Sequence, residues 1–236
     1  MMRRFEILEY LRLLWLARLS LAGRWSFALA FAPIVWPLLL AVLLLMSPED
    51  AGYEPQSVAT VLLGPAVAAL GIGFGVRIVG AEIEQRTIEL AYTVPGGAKK
   101  VWTAKLIAAG ATLVLSTLLT GGFVAALLTE FPPNVLLDAL LASLTYMCLA
   151  LWLSVITRSE VTGALLSVPL LVLGILLGET RFSPFFNTLE LVESGQYATR
   201  EIVAWSTQNR VGQALACLAL VLMAYGGADR REKLLG

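Results

Sequence analysis

Six apolar stretches separated by short polar segments account for most of the chain. They cover residues 26–46, 57–76, 106–128, 135–156, 161–178 and 212–228, and the last two are the shortest. A helix needs roughly 20 residues to cross the hydrocarbon core of a bilayer. The pattern therefore predicts an all-α polytopic membrane protein, whose six transmembrane helices form a single domain over residues 1–236.

Residues 1–25, which precede the first apolar stretch, have a different pattern. They are rich in leucine and are interrupted by Arg12, Arg18 and Arg24. This pattern predicts an interfacial N-terminal helix whose arginines extend toward lipid phosphates. The alternative is an early, tilted start of the first span.

Composition narrows the classes of function. The 236 residues are 58% hydrophobic and 14% charged, whereas soluble domains are about 25% charged. The formal net charge is zero, so we expect no nucleic-acid partner. Histidine, the commonest general base and metal ligand, is missing from the sequence. We therefore expect no catalytic, cofactor-binding or metal site in this chain. Cys148 and Cys217 lie in apolar runs and are interpreted as buried packing residues.

The distribution of basic residues predicts the orientation. Most of the 17 Lys and Arg residues fall on one side of the predicted bundle, and only Arg181, Arg200 and Arg210 fall on the other. Cytoplasmic loops carry the excess of basic residues in membrane proteins. The bias predicts a multi-pass protein of the plasma (inner) membrane, with both termini and the loop over 77–105 in the cytoplasm.

The predicted spans are nearly free of charge. Asp138 and Glu179 lie near predicted ends, and no carboxylate lies in the middle of a span. Carboxylates within the membrane typically mark ion pathways and proton relays, so this pattern argues against a proton-driven or sodium-driven transporter. Energy would have to enter from outside the membrane. The only cytoplasmic segment long enough to receive it is the loop over 77–105.

That loop contains a helix-patterned segment at 81–95. On a 3.6-residue helix, one face carries Glu82, Gln85, Arg86 and Glu89, and the other carries Ile83, Thr87, Leu90, Ala91 and Val94. Pro95 and the two glycines after it end the helix. The pattern predicts a surface helix with an acidic ridge that faces water and that a partner protein could bind.

The same segment resembles the permease subunits of ATP-binding-cassette transporters of the type-2 exporter class. Their pattern between the second and third spans reads roughly E-x-E-x-G-T-x-E, then a proline, then a lysine ten residues later. Glu82, Glu84, Thr87, Glu89, Pro95 and Lys105 fall on that pattern. Arg86 stands where the family usually has glycine.

The resemblance implies both an architecture and a function. It implies that 81–95 is a coupling helix that docks on a separate cytoplasmic ATPase, with Glu82, Glu84, Arg86, Thr87, Glu89, Pro95 and Lys105 as coupling residues. The chain would be the non-catalytic permease subunit of an ATP-driven exporter, paired with a second copy or a related permease chain. ATP and Mg would be bound by the partner ATPase. The uncharged spans favour a hydrophobic or amphipathic substrate, with membrane lipid as a further partner.

Two other functions stay open at this point. One is a membrane assembly or immunity protein that uses the same scaffold without transport. The other is an integral membrane enzyme, for which the sequence offers neither histidine nor a carboxylate in the middle of a span.

The outer segment over 179–210 is too apolar for a free loop and too broken for another span. The pattern predicts short helices lying in the outer interface. Phe182, Phe185 and Phe186 would supply aromatic surface for the headgroup boundary. Pro184, Phe185 and Phe186 are candidates for an outer gate.

Two smaller patterns leave alternatives open. Gly71 and Gly75 have GxxxG spacing, which permits close helix approach either within the subunit or toward substrate or a second subunit. The third span carries a polar stripe of Thr112, Ser116, Thr117 and Thr120, which indicates hydrogen bonds between helices or a polar pathway.

Overall fold

A computed structural model describes residues 12–21, 23–46, 53–84, 97–178, 180–195 and 197–228. These residues form helices and the turns between them, with no strand in the described ranges. In chain order the helices are α1 (12–21), α2 (Ser26–Phe31), α3 (Val35–Met46), α4 (Gly64–Glu84), α5 (Gly97–Leu127), α6 (Asn134–Thr157), α7 (Glu160–Leu176), α8 (Thr188–Ser194) and α9 (Thr199–Ala228). A wide, π-type helical segment over Val58–Leu63 leads directly into α4. The predicted all-α class is confirmed.

Five described helical segments are long and apolar enough to cross a membrane. They are Phe27–Met46, Val58–Glu84, Gly97–Leu127, Asn134–Thr157 and Thr199–Ala228. The predicted span over 161–178 corresponds to α7, which has only 17 residues. At 1.5 Å per residue it is roughly 26 Å long, slightly less than the hydrocarbon thickness of about 30 Å. The protein is a multi-pass membrane protein with five full-length apolar helices and one shorter one among the described residues.

Three helices extend beyond the predicted spans. The second span was expected to end at 76, but α4 continues to Glu84. The third was expected to begin at 106, but α5 begins at Gly97, and the last helix begins at Thr199 rather than at 212. The physical reason is that hydrophobicity marks only the part of a helix that lies in hydrocarbon. Backbone hydrogen bonding continues into polar flanks, where water also solvates the side chains.

The most extensive contact between two described helices is that of α4 with α6. A Cβ atom on Gly71 would lie 2.5 Å from the carbonyl oxygen of Ser143, and one on Gly75 would lie 2.2 Å from that of Met147. Only glycine permits such an approach between two helix backbones. Gly73, between them, has no heavy atom within 4 Å of its ideal Cβ position. The GxxxG spacing therefore serves packing within the subunit.

Within the described ranges, no hydroxyl of the polar stripe of α5 bonds to a neighbouring helix. Thr112 and Thr117 donate their hydroxyl hydrogens to the carbonyl oxygens of Ala108 and Leu113, one turn earlier in the same helix. Ser116 and Thr120 are buried, and their hydroxyl oxygens have no hydrogen-bond partner in the described part of the chain. The interpretation as interhelical hydrogen bonds is therefore wrong. The carbonyl oxygen four residues earlier in the same helix is within reach of a threonine hydroxyl, so the hydroxyl can be satisfied without a neighbouring helix.

Candidate functional site

The candidate site lies where α4 ends and α5 begins. We call this end of the bundle the basic end, since it carries Arg77, Lys99, Lys100, Lys105 and Arg158. The other end, which carries residues 53–57, 128–133, 180–195 and 197–198, is called the opposite end. Hydrogen bonds that link Leu21, α4 and the start of α7 show that these elements meet at the basic end.

A buried ion pair joins α4 to α5. Lys105 Nζ lies 2.7 Å from Glu82 Oε1, and the two side chains are only 7% and 13% exposed. Trp102, which is fully buried one turn before Lys105, donates its indole N–H to Glu82 Oε2 at 2.8 Å. Lys105 Nζ also lies 3.4 Å from the carbonyl oxygen of Ile78. Both carboxylate oxygens of Glu82 are thus satisfied from α5, as a buried charge requires.

This geometry corrects the expected role of Glu82. The predicted ridge placed Glu82 on a water-facing surface, but its side chain points into the bundle. The prediction that a separate helix begins near residue 81 is also wrong, because α4 runs without a break from Gly64 to Glu84. Glu82 and Glu84 therefore lie at the C-terminal end of a helix, not near an N-terminus. The sequence pattern did not identify Lys105, 23 residues away, as the partner of Glu82.

Glu84 holds the start of α7. Its Oε1 atom accepts a hydrogen bond from the Ser159 hydroxyl at 2.7 Å and another from the Glu160 backbone N–H at 2.9 Å. Ser159 is the N-cap residue of α7 and accepts from the Thr162 N–H. A carboxylate at a helix N-terminus is favourable because the first backbone N–H groups have no partner within the helix. The connection from α6 to α7 is thereby fixed to the end of α4.

Arg77 links three elements at the same end. Its Nε donates to Glu160 Oε1 at 2.9 Å, and one terminal nitrogen donates to the Leu21 carbonyl oxygen at 2.9 Å. Arg77 lies on α4, Glu160 opens α7 and Leu21 ends α1. The N-terminal helix is therefore tied to the two helices that flank the groove described next.

An open groove of about 670 Å³ lies beside this cluster. Arg77, Glu84 and Glu160 form its polar end, and Gly73, Phe74 and Leu165 contribute to its apolar wall. The exposed side of Gly73 leaves room along α4 at the middle of the groove. The groove thus runs from a charged end toward the apolar middle of the bundle, and it is large enough for a small amphipathic molecule.

The remaining predicted coupling residues lie outside the described ranges. They are Arg86, Thr87, Glu89 and Pro95. Of the predicted set, the structure places Glu82 and Lys105 in one ion pair and Glu84 at the start of α7. Their role in binding a partner stays a prediction.

Sequence reasoning missed Trp102, Arg77 and Ser159 as parts of this cluster. One signal was available for Trp102, which lies three residues before Lys105 and so shares its helix face. Ser159 followed by an acidic residue at the start of an apolar run is also a typical helix-start signal. Arg77 gave no comparable signal, because its partners come from distant parts of the chain.

The predicted outer gate is a packed contact at the opposite end. Phe185 and Phe186 are buried, and the Phe185 ring stacks on the Tyr146 ring with centroids 5.6 Å apart. The prediction that these two phenylalanines face the headgroup boundary is therefore wrong. Phe182 is 95% exposed and does present aromatic surface. The Pro184 carbonyl oxygen lies 3.4 Å from Gln213 Nε2, within hydrogen-bonding distance.

The outer segment differs from its prediction in a second way. Among the described residues of this segment, only Thr188–Ser194 forms a short separate helix, α8, while Thr199–Ala228 forms the long α9. Arg210 on α9 pairs with Asp138 at the start of α6, with Nε 2.8 Å from Oδ1 and a second contact of 3.2 Å. This pairing neutralises the charge of Arg210 where α9 meets the start of α6.

The described residues contain no group of three or more Cys, Asp or Glu side chains that could hold a metal ion. The cluster at the basic end consists of paired charges and hydrogen-bonded caps. Such an arrangement can bind, orient and transmit movement between helices.

Three comparisons with known proteins bear on this geometry. The family model described as "ABC-2 family transporter protein" matches residues 19–225, which include α4 to α8 and most of α9. Comparison with curated proteins and with solved structures found no match.

Proposed function

Since the chain belongs to the ABC-2 family of transporter proteins and is a permease of that type, we propose that it works as the permease subunit of an ATP-driven exporter. A separate cytoplasmic ATPase would bind ATP and Mg, and would dock on the segment over 85–96. The basic end would face the cytoplasm, in agreement with the distribution of Lys and Arg. The cargo would be a hydrophobic or amphipathic molecule.

The observation that carries this proposal is the contact of Glu82 with Lys105 and Trp102. Glu82 lies three residues before the 85–96 segment and Lys105 lies nine residues after it. The ion pair therefore fixes the ends of α4 and α5 to each other on either side of that segment. A force applied to 85–96 would move both helices together instead of separating them. Joint movement of α4 and α5 is what a docking segment needs if it is to transmit the movement of a cytoplasmic ATPase to the spans.

The groove supports the second part of the proposal. A single subunit offers an open groove rather than a closed pathway, and its charged end is bounded by Arg77, Glu84 and Glu160. A second permease copy or a related chain would close it. Movement of α4 would be transmitted to α7 through Glu84 and Ser159, because these two residues connect the helix ends directly. The groove would then alternate between inward-facing and outward-facing forms.

The docking step is tested by charge reversal in the 85–96 segment. Glu89→Lys is expected to reduce co-purification with an ATPase encoded by a neighbouring gene that carries the phosphate-binding pattern GxxxxGK[ST]. Reversal of a charge at a docking surface affects association directly. The measurement is the amount of ATPase retained on the tagged permease, together with permease-dependent ATP hydrolysis.

Glu130→Lys is the matched control, because Glu130 is exposed and lies at the opposite end. It should retain the ATPase at the wild-type level. Equal retention by both variants, with unchanged hydrolysis, would contradict docking at 85–96. Equal loss in both would point to a general charge effect and would contradict the assignment as well.

A further inference from the structure

A second cavity, separate from the groove, lies between α1, α2 and α5. Its volume is about 330 Å³, and Trp15, Arg18, Phe27, Ile107, Ala111 and Leu115 contribute to its lining. Its walls are almost wholly apolar, and Arg18 brings the only formal charge among the lining residues. The cavity is also partly open to the surroundings, since the side chains of Ile107 and Leu115 are half-exposed.

The Arg18 guanidinium packs against two aromatic rings at this cavity. Its Cζ atom lies 3.7 Å from the centroid of the Phe27 ring and 4.3 Å from that of the Trp15 ring. Two aromatic faces therefore hold the cation at the cavity. Its Nε atom is buried and has no hydrogen-bond partner in the described part of the chain.

No carboxylate of the described residues pairs with Arg18, whereas Arg77, Lys105 and Arg210 each have one. An arginine side chain stays protonated in proteins. A charge placed against apolar surface is costly unless an opposite charge and hydrogen-bond acceptors accompany it. The aromatic rings orient the guanidinium, but they provide no hydrogen-bond acceptor for the N–H groups that lie in the guanidinium plane. An anion would supply the opposite charge that the described residues do not provide to Arg18.

The position along α5 indicates what the anion is attached to. Ile107 lies just beyond Lys105, at the start of the apolar part of α5, and Leu115 lies eight residues further on. Eight residues correspond to roughly 12 Å along the helix. A ligand seated here would place a polar group at Arg18 and an apolar chain beside Ala111 and Leu115. A soluble anion would leave the apolar part of the cavity unfilled.

We propose that this cavity binds a membrane amphiphile with a phosphate headgroup, which the Arg18 guanidinium recognises while the acyl chain lies along α5. The guanidinium fork matches the spacing of phosphate oxygens, and its terminal nitrogens would supply the N–H donors, since Nε is buried. The amphiphile is either a resident phospholipid or a phosphate-bearing cargo. Both have the same chemistry at Arg18, and binding in this cavity involves neither the ATPase nor the groove, so this proposal goes beyond the proposed function.

The test uses the full-length protein in lipid nanodiscs and in mild detergent. Native mass spectrometry measures the binding of phosphatidylglycerol, with phosphatidylcholine as the zwitterionic comparison. Arg18→Gln is expected to reduce retained phosphatidylglycerol about fivefold, as the loss of one basic residue near a lipid phosphate predicts. Arg12→Gln is the matched control, since Arg12 is an exposed arginine on the same helix, and it should change retention little.

A second variant keeps Arg18 and fills the cavity. Ala111 is exposed, so Ala111→Phe should preserve the fold while it displaces the acyl chain. It is expected to reduce retention of phosphatidylglycerol as well. Wild-type retention in both Arg18→Gln and Ala111→Phe would overturn the proposal. An equal loss in Arg12→Gln would also overturn it, because that result would indicate a general attraction of anionic lipid to the helix.

Lipid extracted from protein purified out of its native membrane distinguishes the two sources. A glycerophospholipid that is lost in Arg18→Gln identifies a resident lipid. A different phosphate-bearing amphiphile that is lost in the same variant identifies a cargo. A co-purified amphiphile without phosphate, equally retained by wild type and Arg18→Gln, would contradict recognition by the guanidinium.

Discussion

The two ends of the bundle are held together by different kinds of contact. At the basic end, paired side chains connect helix ends, as in the ion pair of Glu82 with Lys105 and the cap that Glu84 provides for α7. At the opposite end, aromatic burial and bonds from side chains to the backbone predominate. Phe185 packs on Tyr146, and the Asn209 amide donates to two backbone carbonyl oxygens in the 180–187 turn.

The difference indicates where the molecule can change shape. The exposed pair of Arg77 with Glu160 can separate and find new partners, including water, with little loss of apolar burial. A packed aromatic contact has no alternative of equal energy, because interiors are close-packed. We therefore expect movement to begin at the basic end, while the opposite end keeps α6, α9 and the 180–187 turn in a fixed arrangement.

The largest effect is expected from breaking the buried ion pair on one side only. Lys105→Met leaves the Glu82 carboxylate buried without its counter-charge, and loss of one partner of a buried pair typically costs about 3–5 kcal/mol. The measurement is thermal or denaturant unfolding in detergent. The double variant Glu82→Gln with Lys105→Met should recover most of the loss, since neither charge remains. A double variant no more stable than Lys105→Met would show that the pair is not the source of the effect.

A similar loss of stability at the opposite end should come from packing instead. Phe185→Ala removes a buried ring, and such a truncation typically lowers the free energy of unfolding by about 3–4 kcal/mol. Phe182→Ala is the matched control, because Phe182 is 95% exposed and should tolerate the change. The same unfolding assay measures both. Equal stability of the two variants would show that the Tyr146–Phe185 contact does not hold this end.

The sequence predicted the positions of the helices well, but it predicted the surroundings of their side chains poorly. Hydrophobic runs identified every described apolar helix, since burial in lipid requires them. The polar extensions of α4, α5 and α9 were missed because helix formation continues after hydrophobicity stops. The aromatic run at 182–186 was assigned to the outer surface. Apolar side chains satisfy a lipid boundary and a protein core equally, so composition could not distinguish these positions.

Some members of the candidate site were predictable from the sequence, but the contacts between them were not. The resemblance to a family pattern selected Glu82 and Lys105 as two positions of one recurring motif. The pattern did not reveal that Glu82 and Lys105 bind each other. It also omits Trp102, whose indole N–H donates to the same carboxylate. Arg18 illustrates the converse. Its hydrophobic neighbours in sequence indicated a membrane surface, and only the fold brings Phe27 and α5 to it.

A smaller effect tests the α4–α6 contact that connects the two ends. A Cβ atom on Gly75 would lie 2.2 Å from the Met147 carbonyl oxygen, so Gly75→Ala must push the two helices apart. Overpacking of this kind typically costs about 1–3 kcal/mol. Gly73→Ala, two residues away on the same helix, meets no atom within 4 Å and should be neutral or slightly stabilising. Identical melting temperatures for the two variants would contradict the close approach.

The smallest effect distinguishes the Asp138–Arg210 pair from the Glu82–Lys105 pair. Asp138 and Arg210 are 16% and 29% exposed, more than Glu82 and Lys105, so water solvates a charge left behind more easily. Asp138→Asn is therefore expected to lower the free energy of unfolding by only about 1 kcal/mol. ATPase co-purification should not change, because the pair joins α6 to α9 at the end away from 85–96. A loss of stability as large as that of Lys105→Met would mean that Arg210 is as poorly solvated as Glu82. It would also mean that both ends of the bundle depend on buried charge.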